Sequence, residues 1–181
     1  MRVGIDLDGV CYDFAGSLRK YLVSRSLRQP HECPDAQRWE FYEDWGITLD
    51  QFLDHCHAAV DAGIVFKTGT PYSGTREAFQ AIKSAGHSIH IVTDRTFGKP
   101  GASAAATLGW LARHGLEFDS ITFSADKTVA QLDVMVDDKP SNYAALEAAG
   151  VEAYLLTRPW NQHVENARRV LDLLHFAEVI A

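Results

Sequence analysis

The chain has 181 residues, with 17 basic and 24 acidic side chains, a net charge of −7 at pH 7, 46% hydrophobic content and 10% aromatics. This composition excludes a disordered chain, and the length suits one domain that buries roughly 70% of its unfolded surface without a disulfide or metal staple. The negative balance excludes a protein that grips long nucleic acid through a general positive field, so any anionic ligand must be held locally.

In chain order, the first predicted strand is the apolar run from Arg2 to Leu7. It runs out in Asp6-Leu7-Asp8-Gly9-Val10, two acids one residue apart followed by a glycine that lets the chain turn. The stretch from Ser17 to Thr68, roughly fifty residues, is too long for a plain connection and reads as a mainly helical insertion. Aromatics gather there and just before it: Tyr12, Phe14, Tyr21, Trp39, Phe41, Tyr42, Trp45 and Phe52. Beyond it, Ala78, Phe79, Ile82 and Ala85 share a helical face, followed by short strands at Ser88–Thr93, Ser120–Phe123, Asp133–Val136 and Glu152–Leu156. Val164, Ala167, Leu171 and Leu174 predict a last helix, and Gly86, Gly115 and Gly150 close three earlier ones. Short apolar strands alternating with helices predict an α/β fold around a parallel, Rossmann-like sheet.

The carboxyl ends of such strands are where ligands bind. Asp6 and Asp8 stand at the end of the first strand, and Asp137-Asp138 follows the apolar run Val134-Met135-Val136. Three or four carboxylates brought together need a cation, and a hard, oxygen-loving ion such as Mg²⁺ suits them. Thr93 and the N–H groups after it, with Lys127 behind the next strand, add the hydroxyl, amides and ammonium of a phosphate site. Taken singly, each piece has a plain structural reading: Asp137-Asp138 as a turn or helix cap, Thr93 as a strand residue, Lys127 as a surface charge. Their order, one at each of four strand ends, is what argues for a site.

With these residues in place, the sequence resembles the haloacid dehalogenase superfamily of phosphotransferases, whose four motifs are matched by Asp6-x-Asp8, Thr93, Lys127 and Asp137-Asp138. Within it, the opening from Asp6 to Phe14 is similar to the 5′(3′)-deoxyribonucleotidases, with Asp13-Phe14 following the first motif. The resemblance implies a core of residues 1–16 and 69–181 and a helical cap of residues 17–68. It implies that Asp6 attacks phosphorus to form an aspartyl-phosphate, that Asp8 serves as acid and base, and that Thr93, the N–H of Asp94 and Lys127 hold the phosphoryl group. Mg²⁺ would be held by Asp6, Asp8 through its carbonyl, Asp137 and Asp138. One departure concerns the residues after the motif threonine. The deoxyribonucleotidases carry a small hydroxyl residue there, whereas this chain has Asp94-Arg95; a second carboxylate beside the phosphate is unfavourable unless Arg95 pairs with it or the Asp94 side chain points away, and Arg95 could instead reach the phosphate itself.

Phe14 is the first candidate for contact with the sugar or base, and Trp39, Phe41, Tyr42 and Trp45 are the cap candidates; the bland alternative is that most of them build the core of the cap. Arg158-Pro159-Trp160-Asn161 reads either as part of the site rim or as a rigid turn. His31-x-Cys33 and His55-Cys56-His57 hold metal-ligand residue types but lack a zinc spacing. Cys11, Cys33 and Cys56 read as free thiols in a reducing compartment. No apolar run approaches the roughly 18 residues of a membrane span, and the opening residues reach a carboxylate too early for a signal peptide, so a soluble, cytoplasmic protein is expected.

The leading expectation is a Mg²⁺-dependent phosphatase acting on a small phosphomonoester, foremost a deoxynucleoside monophosphate, with neither long nucleic acid nor membrane as partner. The alternatives are a phosphatase for a polynucleotide end or a sugar phosphate, and a non-catalytic receiver-like phospho-acceptor. A receiver needs neither Asp8 nor the long insertion. Whether the chain forms a homodimer is left open.

Overall fold

The structure, a computed structural model, describes residues 1–181. Six strands form one sheet: β1 (Arg2–Ile5), β2 (Ser88–Thr93), β3 (Ser120–Phe123), β4 (Val134–Asp137), β5 (Glu152–Leu156) and β6 (Arg169–Val170). The order is β3-β2-β1-β4-β5-β6, and every neighbouring pair is parallel. The central strands are apolar because both faces are covered by helices, and Val3, Ile5, Ile89 and Ile91 are fully buried. Chain connections leave β1 toward β2 on one side and approach β4 on the other, so a crevice opens at the carboxyl ends of β1 and β4.

β1 stops at Ile5, two residues earlier than expected. The Leu7 carbonyl accepts from the N–H groups of Val10, Cys11 and Tyr12 at 3.2, 2.7 and 2.8 Å, so the chain winds into a tight turn instead of continuing the ladder. That turn carries Asp8 off the sheet just past Asp6, whose N–H still bonds to β4.

Three helices lie between β1 and the next βα unit: α1 (Phe14–Ser24), α2 (Phe41–Asp44) and α3 (Leu49–Asp61). Asp13 caps α1 by accepting from Gly16 N–H, and α3 starts with a reciprocal Thr48–Gln51 box. They are followed by α4 (Thr75–Ser84), α5 (Ala102–Arg113), α6 (Pro140–Ala148) and α7 (Leu173–Val179). Ala78, Phe79 and Ile82 of α4 face the core as expected, and Gly86, Gly115 and Gly150 follow their helices with positive φ. One apolar cluster of 33 buried residues joins Val3, Ile5 and Ile91 of the sheet to Leu18, Leu22, Cys56 and Val60 of the helices after β1. No helix is long and apolar enough to cross a membrane.

The last predicted helix does not form over Val164–Leu174. Asn166 adopts φ +58, and the Arg169 guanidinium donates to Asn161 and to the Val164 carbonyl, pinning a loop in place. Arg169–Val170 then adds the edge strand β6, Leu171 is 69% exposed, and α7 starts only after Asp172, whose carboxylate accepts from His175 N–H. The helical spacing of the apolar residues was coincidental.

Candidate active site

β1 and β4 are neighbours, with Ile5 opposite Val136, and Asp6 N–H donates to the Val136 carbonyl at 3.2 Å. This register brings Asp6 beside Asp137, the last residue of β4, and Asp138. All three are buried, and a ligand oxygen from each lies within 4.8 Å of the others. Gly9 completes the approach: its φ is +72, and a Cβ there would sit 2.0 Å from Asp138 Oδ2. Only a residue without a side chain lets the turn close against that carboxylate.

The surroundings show how far the three acids are compensated. Asp137 accepts from Lys139 N–H at 2.8 Å and from the Asn142 amide at 2.9 Å. Even so, burial and then the charge of Asp6 push its pKa up to about 7. Asp138 accepts from the Trp160 indole N–H at 3.1 Å, and burial with the charges of Asp137, Asp6 and Asp8 pushes it well above the usual carboxylate range. Lys127 Nζ donates to Asp6 Oδ1 at 2.9 Å and to the Val92 carbonyl at 2.8 Å. Burial alone would lower the lysine pKa, but Asp6 and Asp137 outweigh it and raise it. One ammonium cannot balance three buried carboxylates in their ionised form, so without a cation Asp137 and Asp138 hold their protons more tightly. The donor set is all oxygen, so the pocket fits a hard metal cation.

Asp8 stands apart from this trio. Its two oxygens accept from the Arg95 guanidinium, Oδ2 at 2.7 Å and Oδ1 at 3.2 Å. Burial raises its pKa most, Arg95 opposes, and Asp6 adds to the rise; the net direction is up. The Asp8 carbonyl oxygen accepts no hydrogen bond within the chain. Thr93, at the end of β2, has a buried hydroxyl with no partner. Asp94 is exposed, and Arg95 reaches its carbonyl rather than its carboxylate. Arg95, expected at Asp94 or at the phosphate, is instead committed to Asp8.

Two cavities adjoin these residues. The one that reaches Asp6, Asp8, Asp94 and Lys127 has a volume of about 260 Å³ and aromatic walls of Phe14, Trp39, Tyr42, Phe52 and Phe97. The other, about 350 Å³, shares Asp8, Phe14, Trp39 and Asp138 with it and extends past Trp45, Tyr72 and Trp160. Of the sequence candidates, Phe14 and Trp39 line both, and Tyr42 lines the first. Trp45 borders only the second, and it is buried, its indole donating to the Pro34 carbonyl at 2.9 Å. Phe41 lines neither cavity and packs behind the wall against Trp45, Phe52 and Phe14.

Several residues at the site had not been singled out. Phe97 and Asn142 follow β2 and β4 by a few residues, so the rule that sheet ligands bind past strand ends could have flagged both. Phe52 belongs to the aromatic cluster of the insertion but not to its cap candidates, and α3 brings it to the wall by tertiary packing. The Arg158–Asn161 segment joins the rim: Arg158 Nε donates to the Gly9 carbonyl at 2.6 Å, and the buried Asn161 amide ties the Asp138 and Leu156 carbonyls together. Cys33 and Cys56, considered as metal ligands, are buried free thiols within the apolar cluster.

Comparison with known proteins agrees with this geometry. The family described as "5' nucleotidase, deoxy (Pyrimidine), cytosolic type C protein" matches residues 1–180. The chain is 31% identical over 169 residues to a Chlorobaculum tepidum protein provisionally named 5'(3')-deoxyribonucleotidase, covering 92% of this chain and 83% of that one. It is 26% identical over 168 residues to the human "5'(3')-deoxyribonucleotidase, cytosolic type", covering 91% and 83%. The fold is similar to that of an L-2-haloacid dehalogenase from Xanthobacter autotrophicus, with TM-score 0.62 and 12% identity over 99% of this chain and 97% of that one.

Proposed function

The chain belongs to the family of deoxy (pyrimidine) 5′ nucleotidases of cytosolic type C, and from that premise we propose that it hydrolyses deoxynucleoside monophosphates through an aspartyl-phosphate. The observation that carries the reading is that Asp6, Asp8 and Lys127 share one small cavity with five aromatic side chains, Phe14, Trp39, Tyr42, Phe52 and Phe97. A phosphate end and a flat, stackable end are what a nucleotide presents.

Asp6 is the group placed to attack. Lys127 fixes its Oδ1, leaving Oδ2 free, whereas both oxygens of Asp137 are engaged by Lys139 and Asn142. Oδ2 forms the bond to phosphorus as the bond to the leaving oxygen breaks. Asp8, its pKa raised, gives that oxygen a proton and later takes one from the water that cleaves the acyl phosphate. The unpartnered Thr93 hydroxyl and the Asp94 N–H, which donates to nothing within the chain, supply hydrogen bonds to phosphoryl oxygens. Asp6, Asp137, Asp138 and the free Asp8 carbonyl would hold Mg²⁺, which supplies charge neutralisation of the phosphoryl oxygens when bound. Residues 17–68 act as the cap that carries Trp39, Tyr42 and Phe52 over the core of residues 1–16 and 69–181.

The test is a panel of 5′- and 3′-monophosphates, deoxy and ribo, purine and pyrimidine, assayed with sugar phosphates and a 5′-phosphorylated oligonucleotide in the presence of Mg²⁺. Preference for deoxynucleoside monophosphates is expected. A flat response to base and sugar removes the nucleotidase reading and leaves a general phosphatase.

A further inference from the structure

The guanidinium of Arg95 takes part in none of these steps, yet it is among the most fully enclosed charges of the chain, with its side chain 1% exposed. Four parts of the molecule hold it. It donates from Nη1 to Asp8 Oδ2 at 2.7 Å and to the Asp94 carbonyl at 2.6 Å, from Nη2 to Asp8 Oδ1 at 3.2 Å, and from Nε to the Thr107 hydroxyl of α5 at 2.7 Å. Its central carbon lies 3.9 Å from the centre of the Phe66 ring. Phe66 itself has φ +63, a strained value for a phenylalanine, and its N–H donates to the Tyr12 hydroxyl at 2.9 Å. The ring that covers the guanidinium is thus locked from behind.

The partner carboxylate is placed differently. The Asp8 side chain is 32% exposed and lines both cavities. A rigid, buried donor fork grips a carboxylate whose other side faces the place where substrate would sit. If the pair served only to staple the turn after β1 to α5, nothing would require its acidic half to face the cleft.

We propose that Arg95 is a positioning residue for Asp8: it anchors Oδ2 through the short bond and leaves Oδ1, on the longer one, to exchange Arg95 for the reacting oxygen. Arg95 does not bind the phosphate, because reaching it would break the bonds to Thr107 and Asp94 and uncover Phe66. This role rests on the reading of Asp8 as acid and base given above.

The test uses the full chain with Mg²⁺ and a deoxynucleoside monophosphate, comparing Arg95→Ala, Arg95→Lys and Thr107→Val with the wild type for kcat, KM and thermal midpoint. In Arg95→Ala, kcat is expected to fall about 10²-fold with KM within about twofold, since a misplaced catalytic group costs that much. Guanidinium chloride at low millimolar concentration should restore about tenfold of that loss, and sodium chloride at equal concentration should not. Arg95→Lys keeps the charge but not the fork and should fall between the two. Thr107→Val loosens Arg95 without touching Asp8 and should lower kcat about threefold with KM unchanged; it carries the test if Arg95→Ala does not fold. The proposal is overturned by wild-type kcat in folded Arg95→Ala or in Thr107→Val, or by a rise of KM in place of the fall in kcat, which would make Arg95 a phosphate ligand. A wild type inactive on every phosphomonoester overturns the hydrolase reading and this role with it, whereas an active wild type beside a fully active Arg95→Ala overturns this role alone.

Discussion

The ammonium of Lys127 and the carboxylate of Asp6 meet at 2.9 Å with both side chains over 90% buried, although 121 residues separate them in the chain. Removing one member of a buried pair leaves the other uncompensated, which costs about 3–5 kcal/mol. Lys127→Met should therefore lower the unfolding free energy of the metal-free protein by about that amount, as measured in urea, and abolish turnover. Asp6→Asn should keep the fold, because Lys127 retains the Val92 carbonyl and Asp137, while hydrolysis falls about 10³-fold or more. Normal turnover by Asp6→Asn would remove the aspartyl-phosphate mechanism.

Asp137 is raised from 3.8 to about 7, chiefly by burial and by Asp6. Between those values the folded chain holds a proton that the unfolded chain has released, so the stability of the metal-free protein falls as pH rises from about 4 to 7. A cation that binds the ionised carboxylates opposes this. The rise in thermal midpoint on adding Mg²⁺ should accordingly be small near pH 5 and larger near pH 7.5. A shift equal at both pH values would separate metal binding from these acids.

Gly9 and Trp160 approach Asp138 from opposite chain segments. Gly9→Ala would place a methyl 2.0 Å from Asp138 Oδ2 and impose a positive φ that costs alanine about 1–2 kcal/mol. Trp160→Phe removes the indole donor to the same oxygen, and loss of a partner behind a metal ligand typically weakens binding about 10–100-fold. Both variants should require more Mg²⁺ for half-maximal activity. Isothermal titration with Mg²⁺ alone provides a readout that does not depend on turnover.

Two tryptophans of the same segment separate wall from core. Trp39 is 46% exposed and lines both cavities, so Trp39→Ala should raise KM for a nucleotide about tenfold and change stability by less than about 1 kcal/mol. Trp45 is 3% exposed, and Trp45→Ala should cost about 3–5 kcal/mol. A Trp39→Ala variant with unchanged KM for every nucleotide would count against stacking.

Asp6, Asp8, Thr93, Lys127, Asp137 and Asp138 were legible in the sequence because buried parallel strands read as short apolar runs, and whatever polar group follows such a run stands at the sheet edge. The α/β class and five of the six strands follow from the same pattern. β6 was not legible: two residues, Arg169 and Val170, carry no periodicity, and the spacing of Val164, Ala167, Leu171 and Leu174 imitated a helix that Asn166 interrupts. Nor was the partner of Arg95. The choice between Asp94, a phosphate and Asp8 depends on how Thr107 and Phe66 pack around the guanidinium, and no local pattern encodes that. Trp39 and Trp45 likewise lie in one aromatic-rich stretch, and packing is what distinguishes the exposed one from the buried one.

The place of β1 at the middle of the sheet bears on how the protein is made. Arg2 pairs with Ser88 and Val3 with Val134, so the strand that leads to Asp6 leaves the ribosome long before either neighbour. Pairing over such separations is slow, and until it occurs this apolar strand has no sheet in which to hide. A nascent chain that ends before Asp137 holds Asp6 and Asp8 without the two acids that complete the buried cluster, so the site is assembled only once the second half of the sheet has been made.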